Sequence, residues 1–132
     1  MTMSSKTIQA FARAINDHDV EAIADLMTDD HTFIDSQNNA VTGKAAMKAG
    51  WKGYFELFPD YKIEVTDIIE SESIIAAFGF ADGTFGNINN LNKNNHFHIP
   101  AAWKAIVENE KIKLWQVYAD AKIPFDIIEK NK

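Results

Sequence analysis

Two carboxylates and a phenol supply the residue types from which proton-transfer chemistry is built. Asp35 closes the segment His31-Thr32-Phe33-Ile34-Asp35, whose alternation reads as a short strand with His31, Phe33 and Asp35 on one face. Asp120 ends KIKLWQVYAD and shares strand parity with Leu114, Gln116 and Tyr118. A carboxylate among apolar walls is costly to ionise, so its pKa rises toward the working pH, where it exchanges protons with carbon effectively. On the same strand face, Tyr118 can donate a hydrogen bond to a developing enolate, and Gln116 can orient a carbonyl. Each acid also has a plainer reading. Asp35 begins a loop, where aspartate turns the chain, and Asp120 ends a strand, where it bonds backbone.

The elements that must position these groups start with an aromatic run. WKGYFELFPDY, residues 51 to 61, holds five rings: Trp51, Tyr54, Phe55, Phe58 and Tyr61. Met47, Trp51, Tyr54, Phe55 and Phe58 form one broad apolar stripe at helical spacing, and Lys44, Lys48, Lys52 and Glu56 take the other side. The helix is expected to start at Thr42 and to stop at Pro59. Upstream, Ile8, Phe11 and Ile15 mark a first helix capped by Ser4 or Ser5, and Asp19 caps a short second helix. Downstream, YKIEVTDIIES, SIIAAFGFADGTF, FHIPAAWKAIVEN and KIKLWQVYAD read as four long strands. Helices segregated from sequential strands mean an α+β fold, and 132 residues form a single domain, 1–132. NINNLNKNN, residues 87 to 95, reads as a mobile hairpin connection, and IPFDIIEKNK as a terminal strand or turn.

Composition removes several function classes. There is no cysteine, so thiolate nucleophiles, thiolate metal sites and disulfides are out. The formal charge is −6 and Arg13 is the single arginine, which argues against nucleic-acid binding. No signal-like or membrane-spanning run occurs, so a cytoplasmic protein without membrane attachment is expected. His96 and His98 share a strand face at a spacing that can ligate metal, with only Asp82 as a conjectural third ligand; an exposed strand start is the simpler reading. No metal and no cofactor are expected. VTGKAA lacks the rest of a phosphate loop, and no GxSxG elbow exists.

The stretches HTFIDSQNNAVTGKAAMKAGWKGYFELFPDYKIEV and FHIPAAWKAIVENEKIKLWQVYAD resemble the SnoaL-like branch of the NTF2-like superfamily, and the resemblance covers nearly the whole chain. It implies an NTF2-like cone: three N-terminal helices packed on a curved, mostly antiparallel sheet that encloses an apolar cavity. The third helix would lie across the sheet, making Trp51, Tyr54, Phe55, Phe58, Phe33 and Phe78 both core and cavity wall. Asp35 falls where ketosteroid isomerases carry a general base, and Asp120 where SnoaL-like cyclases carry an acid/base. Acids on opposite walls can divide the roles of base and protonated donor. Two departures count against particular relatives. Epoxide hydrolases of this superfamily set an arginine between two aspartates, and no strand here supplies one. The cyclases carry an imidazole beside the catalytic aspartate, whereas this strand reads AAWKAIV.

If Asp120, Tyr118 and Gln116 face the cavity, Trp115 and Val117 face outward, joined by Trp103 of the preceding strand. Superfamily members commonly dimerise through this convex face, so a homodimer centred on Trp103, Trp115 and Val117 is expected. A bulge that reverses the register would instead turn a tryptophan inward. Two readings stay open: a cofactor-independent isomerase, cyclase or lyase acting on a small hydrophobic carbonyl compound through Asp120, Asp35 and Tyr118, and a non-catalytic small-ligand-binding or dimerisation module.

Overall fold

Thr2 starts the first helix. Its hydroxyl accepts from the Ser5 backbone N–H at 3.0 Å, displacing the expected serine caps by two or three positions. The computed structural model describes residues 2–132. Helix α1 (Met3–Asn16) buries Ile8, Phe11 and Ile15, and α2 (Val20–Asp25) is capped by Asp19, which accepts from Ala22 N. Strand β1 (Met27–Ile34) follows, then β2 (Ala40–Thr42), a short strand lying in what reads from the sequence as a loop. Gly43 stands between β2 and α3 (Lys44–Leu57) at φ 109°, a conformation that a side chain disfavours, and this delays the helix past Thr42.

The remaining strands are β3 (Lys62–Ser71), β4 (Ile74–Asn87), β5 (Asn90–Glu108) and β6 (Lys111–Ala119). Residues 87 to 95 are not a loose connection. β4 and β5 stay paired to Asn87↔Asn90, so the asparagine run forms the tip of a long hairpin arm. The tail likewise forms a helix, α4 (Lys122–Lys130), rather than a strand or turn. Pro124 falls in its first turn, where no backbone N–H is needed. Asn131 and Lys130 tie its end to the hairpin arm, through Asn131 Nδ2 to Asn95 Oδ1 at 3.0 Å and Lys130 Nζ to the Asn94 carbonyl.

The six strands run in the order β2-β1-β6-β5-β4-β3; only the β1–β6 pair is parallel, so the sheet is mixed. Helices pack against it from one side, giving the expected α+β, NTF2-like architecture with one helix more than the three expected. A bulge between Val65 and Asp67 bends β3. Opposite it sits Gly79, where a Cβ would lie 1.7 Å from the Glu64 carbonyl oxygen, so the sheet makes this bend only over a glycine.

Strand alternation sorts the side chains in the sense opposite to the one expected. Phe33, Trp115, Ala105, Trp103, Ala77 and Val117 point to the helices, and Trp103 and Trp115 are 2% and 1% exposed. Tyr118, Ala102 and Phe78 align on the outer face, where Phe78 is 42% and Tyr118 53% exposed. Burying a large aromatic side chain contributes about 1.5–3 kcal/mol. Two indoles therefore outweigh whatever is gained by bringing a phenol, an amide and a carboxylate inside.

Candidate functional site

Between α3 and the sheet lies a pocket of about 380 Å³. Trp103 and Trp115, stacked at 5.9 Å and 21°, form part of its wall on the sheet side, with Val117, Ile99, Phe97 and Ala81 around them. Helix α3 supplies Met47, Trp51 and Tyr54 from the other side, its C-cap Phe58 joins them, and Tyr61 follows just after Pro59. Pro124, Phe125 and Ile128 of α4 also line it, with Asp35, Ser36 and Val41 around the β1–β2 connection. A second groove, lined by Ser5, Gln9 and residues 65–68, is more open and about half polar, and it offers no comparable enclosure.

The structure places the expected site residues unequally. Trp51, Tyr54, Phe58, Phe33 and Asp35 all line the pocket. Phe55 is buried elsewhere, stacked on the His18 ring at 4.0 Å. Phe78 and Tyr118 lie on the outer face, and Gln116, cross-strand from Lys104, shares it. Asp120 lies beyond the last β5–β6 pair and is exposed; its Oδ1 accepts from Lys122 N at 3.0 Å, fixing the turn into α4. Asp35 Oδ1 accepts from Gln37 N and Asn39 N at 2.9 and 2.8 Å, and its Oδ2 from the Asn39 side chain. Both acids therefore do turn chemistry, and they are not brought together across one cavity with Tyr118. The outward setting expected for Trp103, Trp115 and Val117 is corrected too, since all three line the pocket.

Sequence reasoning missed Trp103 and Trp115 as pocket residues, and missed α4. The tryptophans were assigned to the wrong face by trusting Asp120 as an inward residue. Helix α4 had a readable signal: Pro124, Ile127 and Ile128 recur at helical spacing in IPFDIIEK.

Electrostatically the pocket is quiet. Asp35 is the single acidic residue that lines it, and no Lys, Arg or His does. Burial pushes the Tyr54 phenol well above the ordinary tyrosine range, and burial, reinforced by Tyr54, does the same to Tyr61. Both rings therefore stay neutral. Their planes meet at 88° with centroids 4.8 Å apart. Trp51 Nε1 is buried with no hydrogen-bond partner. Beside this region, His31 is fully buried: its Nδ1–H donates to the Ile112 carbonyl at 2.7 Å while Nε2 has no partner, and burial holds its pKa below the ordinary histidine value.

On the outer face, Asp82 Oδ2 sits 3.0 Å from His98 Nδ1 and 3.4 Å from His96 Nε2. Among the described residues no group of three or more His, Cys, Asp or Glu is arranged to hold a metal ion. None of the described helices is long and apolar enough to cross a membrane.

Comparison with known families agrees with this geometry. The family model of the SnoaL-like domain matches residues 8–115, most of the chain. The chain belongs to the SnoaL-like domain family. Structures similar to this SnoaL-like domain share its fold at low identity. A hypothetical protein with a ketosteroid isomerase-like fold from Catenulispora acidiphila, in complex with trimethylamine, is 17% identical at a TM-score of 0.74, covering 85% of this chain and 83% of the other. A candidate SnoaL-like polyketide cyclase from Shewanella denitrificans is 11% identical at 0.81, covering 98% and 99%. An LEH-like epoxide hydrolase of M. tuberculosis is 12% identical at 0.78, covering 97% and 90%. No curated protein matches this chain by sequence.

Proposed function

We propose that this SnoaL-like domain binds a small, uncharged, hydrophobic molecule in the pocket between α3 and the sheet. The observation that carries the reading is the pocket itself. About 380 Å³ is enclosed by tryptophan, phenylalanine and aliphatic side chains, and its single acidic group is already hydrogen-bonded into its own loop. That volume and lining are those of small-molecule sites in general. A charged ligand would have to give up its hydration with no countercharge to receive it. The acid–base pair that turnover of a carbonyl compound would need is not assembled, so the reading is binding rather than catalysis.

The chain provides its own reporter. All three of its tryptophans line the pocket, so intrinsic emission reads occupancy directly. Titration with neutral aromatic and alicyclic compounds is expected to give a saturable emission change, with a matching mass increment in native mass spectrometry. No emission change and no bound mass for any compound up to its solubility limit would sink the reading.

We also propose that two copies associate through the outer face, as the family resemblance implies, but with different residues at the centre. Phe78, Ala102 and Tyr118 form one row there and Phe80 and Pro100 the next. Each copy carries a charge of −6, so these apolar rows on β4, β5 and β6, flanked on β3 by Asp67 and Glu64, are where two copies can approach.

A further inference from the structure

The walls of the pocket are not equally fixed. Trp51, Phe58, Phe97, Ile99, Trp103 and Trp115 are buried core residues. Helix α4 contributes Ala121, Pro124, Phe125 and Ile128, yet Ile127 is the only residue of the helix that is itself buried. The lining residues that reach solvent mark the mouth, and they are Val41, Leu57 and the 46% exposed Phe125 of α4. The helix also lies outside residues 8–115, the stretch that the SnoaL-like family model matches. Nine residues are too few for a helix to persist by itself in water, so α4 keeps its form by resting its apolar side on the pocket.

Polar contacts hold this helix at its two ends. At the near end Asp120 and Ala121 join it to β6, in the turn that Asp120 Oδ1 fixes on Lys122 N. At the far end it is fastened to the hairpin arm. Asn131 Nδ2 donates to Asn95 Oδ1 at 3.0 Å, Asn95 Nδ2 returns a bond to Asn131 Oδ1 at 3.5 Å, and Lys130 Nζ donates to the Asn94 carbonyl at 2.6 Å. Asn131 Nδ2 also donates to the Ile127 carbonyl at 2.7 Å, so one side chain closes both the helix end and the fastening. These amides lie at the surface, where each bond given up is replaced by one to water.

We propose that α4 is a lid over the pocket, hinged at Asp120 and Ala121 and latched to the hairpin arm by Asn131 on Asn95 and Lys130 on Asn94, and that ligand enters and leaves when the latch opens. This rests on the pocket being the ligand site. Moving any other wall would bring Trp103, Trp115 or Phe58 into water, whereas α4 swinging away gives up one buried side chain of its own, Ile127. Opening the amide pair strands no charge, so the latch is cheap to release and specific when closed. The end of the asparagine run, Asn94 and Asn95, is then the catch of this lid. A gate of this kind acts on rates, changing entry and exit together.

The test is stopped-flow mixing of the full chain with N-phenyl-1-naphthylamine, an uncharged fluorescent probe. The chain has no cysteine, so Asn95→Cys/Asn131→Cys carries two thiols only, which a short bis-methanethiosulfonate joins reversibly. With the latch joined, entry and exit rates are both expected to fall about tenfold or more while Kd stays within about twofold, and dithiothreitol should restore both rates. Asn95→Ala is the opposite perturbation and should raise both rates about threefold to fivefold, since about one net uncharged hydrogen bond leaves the closed state. A helix that only packs against the pocket would shift Kd through the exit rate and leave entry unchanged. That result, or equal rates in joined and reduced protein, would overturn the lid and leave the pocket reading standing. Should the cross-link not form, unchanged rates in Asn95→Ala would overturn it alone. If neither this probe nor any compound of the emission titration binds the wild type, the pocket reading fails and the lid with it.

Discussion

Gly79→Ala should be among the most damaging single-methyl additions in this protein. The added Cβ would lie 1.7 Å from the Glu64 carbonyl oxygen and 2.8 Å from its carbon, both backbone atoms of the β3 bulge. Restoring an ordinary contact of 3.4 Å moves that backbone by 3.4 − 1.7 = 1.7 Å, over a third of the spacing between strands. Overpacking of this kind costs about 1–3 kcal/mol. A displacement of that size also breaks one or two β3–β4 ladder bonds, at about 1 kcal/mol each. The expected loss is about 2–5 kcal/mol, or a fall in Tm of about 6–25 °C for a domain of this size. Gly53→Ala is the matched control. Nothing lies within 4 Å of a Cβ there, in the body of α3, and the same methyl should stabilise by about 0.5–1 kcal/mol. Urea and thermal unfolding of the pair read both signs. A Gly79→Ala protein within about 1 kcal/mol of wild type would refute the account of the bulge.

Three further outcomes follow from particular contacts. Because burial lowers the pKa of folded His31, protonation favours the unfolded chain; its contribution to stability is full above the ordinary value of 6.5 and declines as pH falls below it. Urea midpoints of His31→Gln should fall less than those of wild type between about pH 7 and pH 5, and parallel slopes would contradict this. Asp35→Asn keeps an acceptor for Gln37 N and Asn39 N and should stay within about 0.5 kcal/mol of wild type in urea melts, whereas Asp35→Ala should lose about 1–2 kcal/mol. Equal losses would instead give the charge itself a role. In sedimentation the wild type is expected at twice the 14.8 kDa chain mass and Phe78→Asp at the single mass, so a variant that stays dimeric would remove the outer face as the interface.

The first three helices were the most legible part of the chain because their signals are local. The spacing of Ile8, Phe11 and Ile15, the Asp19 cap and the stop at Pro59 all act within a few residues. Apart from the three-residue β2, strand existence was legible for the same reason, but strand facing was not. Alternation in LWQVYAD defines two faces without saying which one is buried, and only packing against Phe11, 4.9 Å from Trp115, decides it. The family resemblance pulled the wrong way here, because it made Asp120 the reference for parity. The aromatic wall of the pocket was readable from residues 51 to 61, whereas α4 joins it through the tertiary fold. The asparagine run was misread because its pairing comes from the partner strand and not from its own composition.

The two margins of the sheet also decide how this protein can fail. At one margin β2 is only three residues long. At the other, β3 is broken by its bulge and carries Lys62, Glu64, Asp67 and Glu70. Neither offers the long, flat, uncharged row of free amides and carbonyls on which a further strand could template. Growth by adding strands, the route to fibrils, is therefore closed at both ends. The association of two copies proposed above would then use the face of the sheet and not its margins.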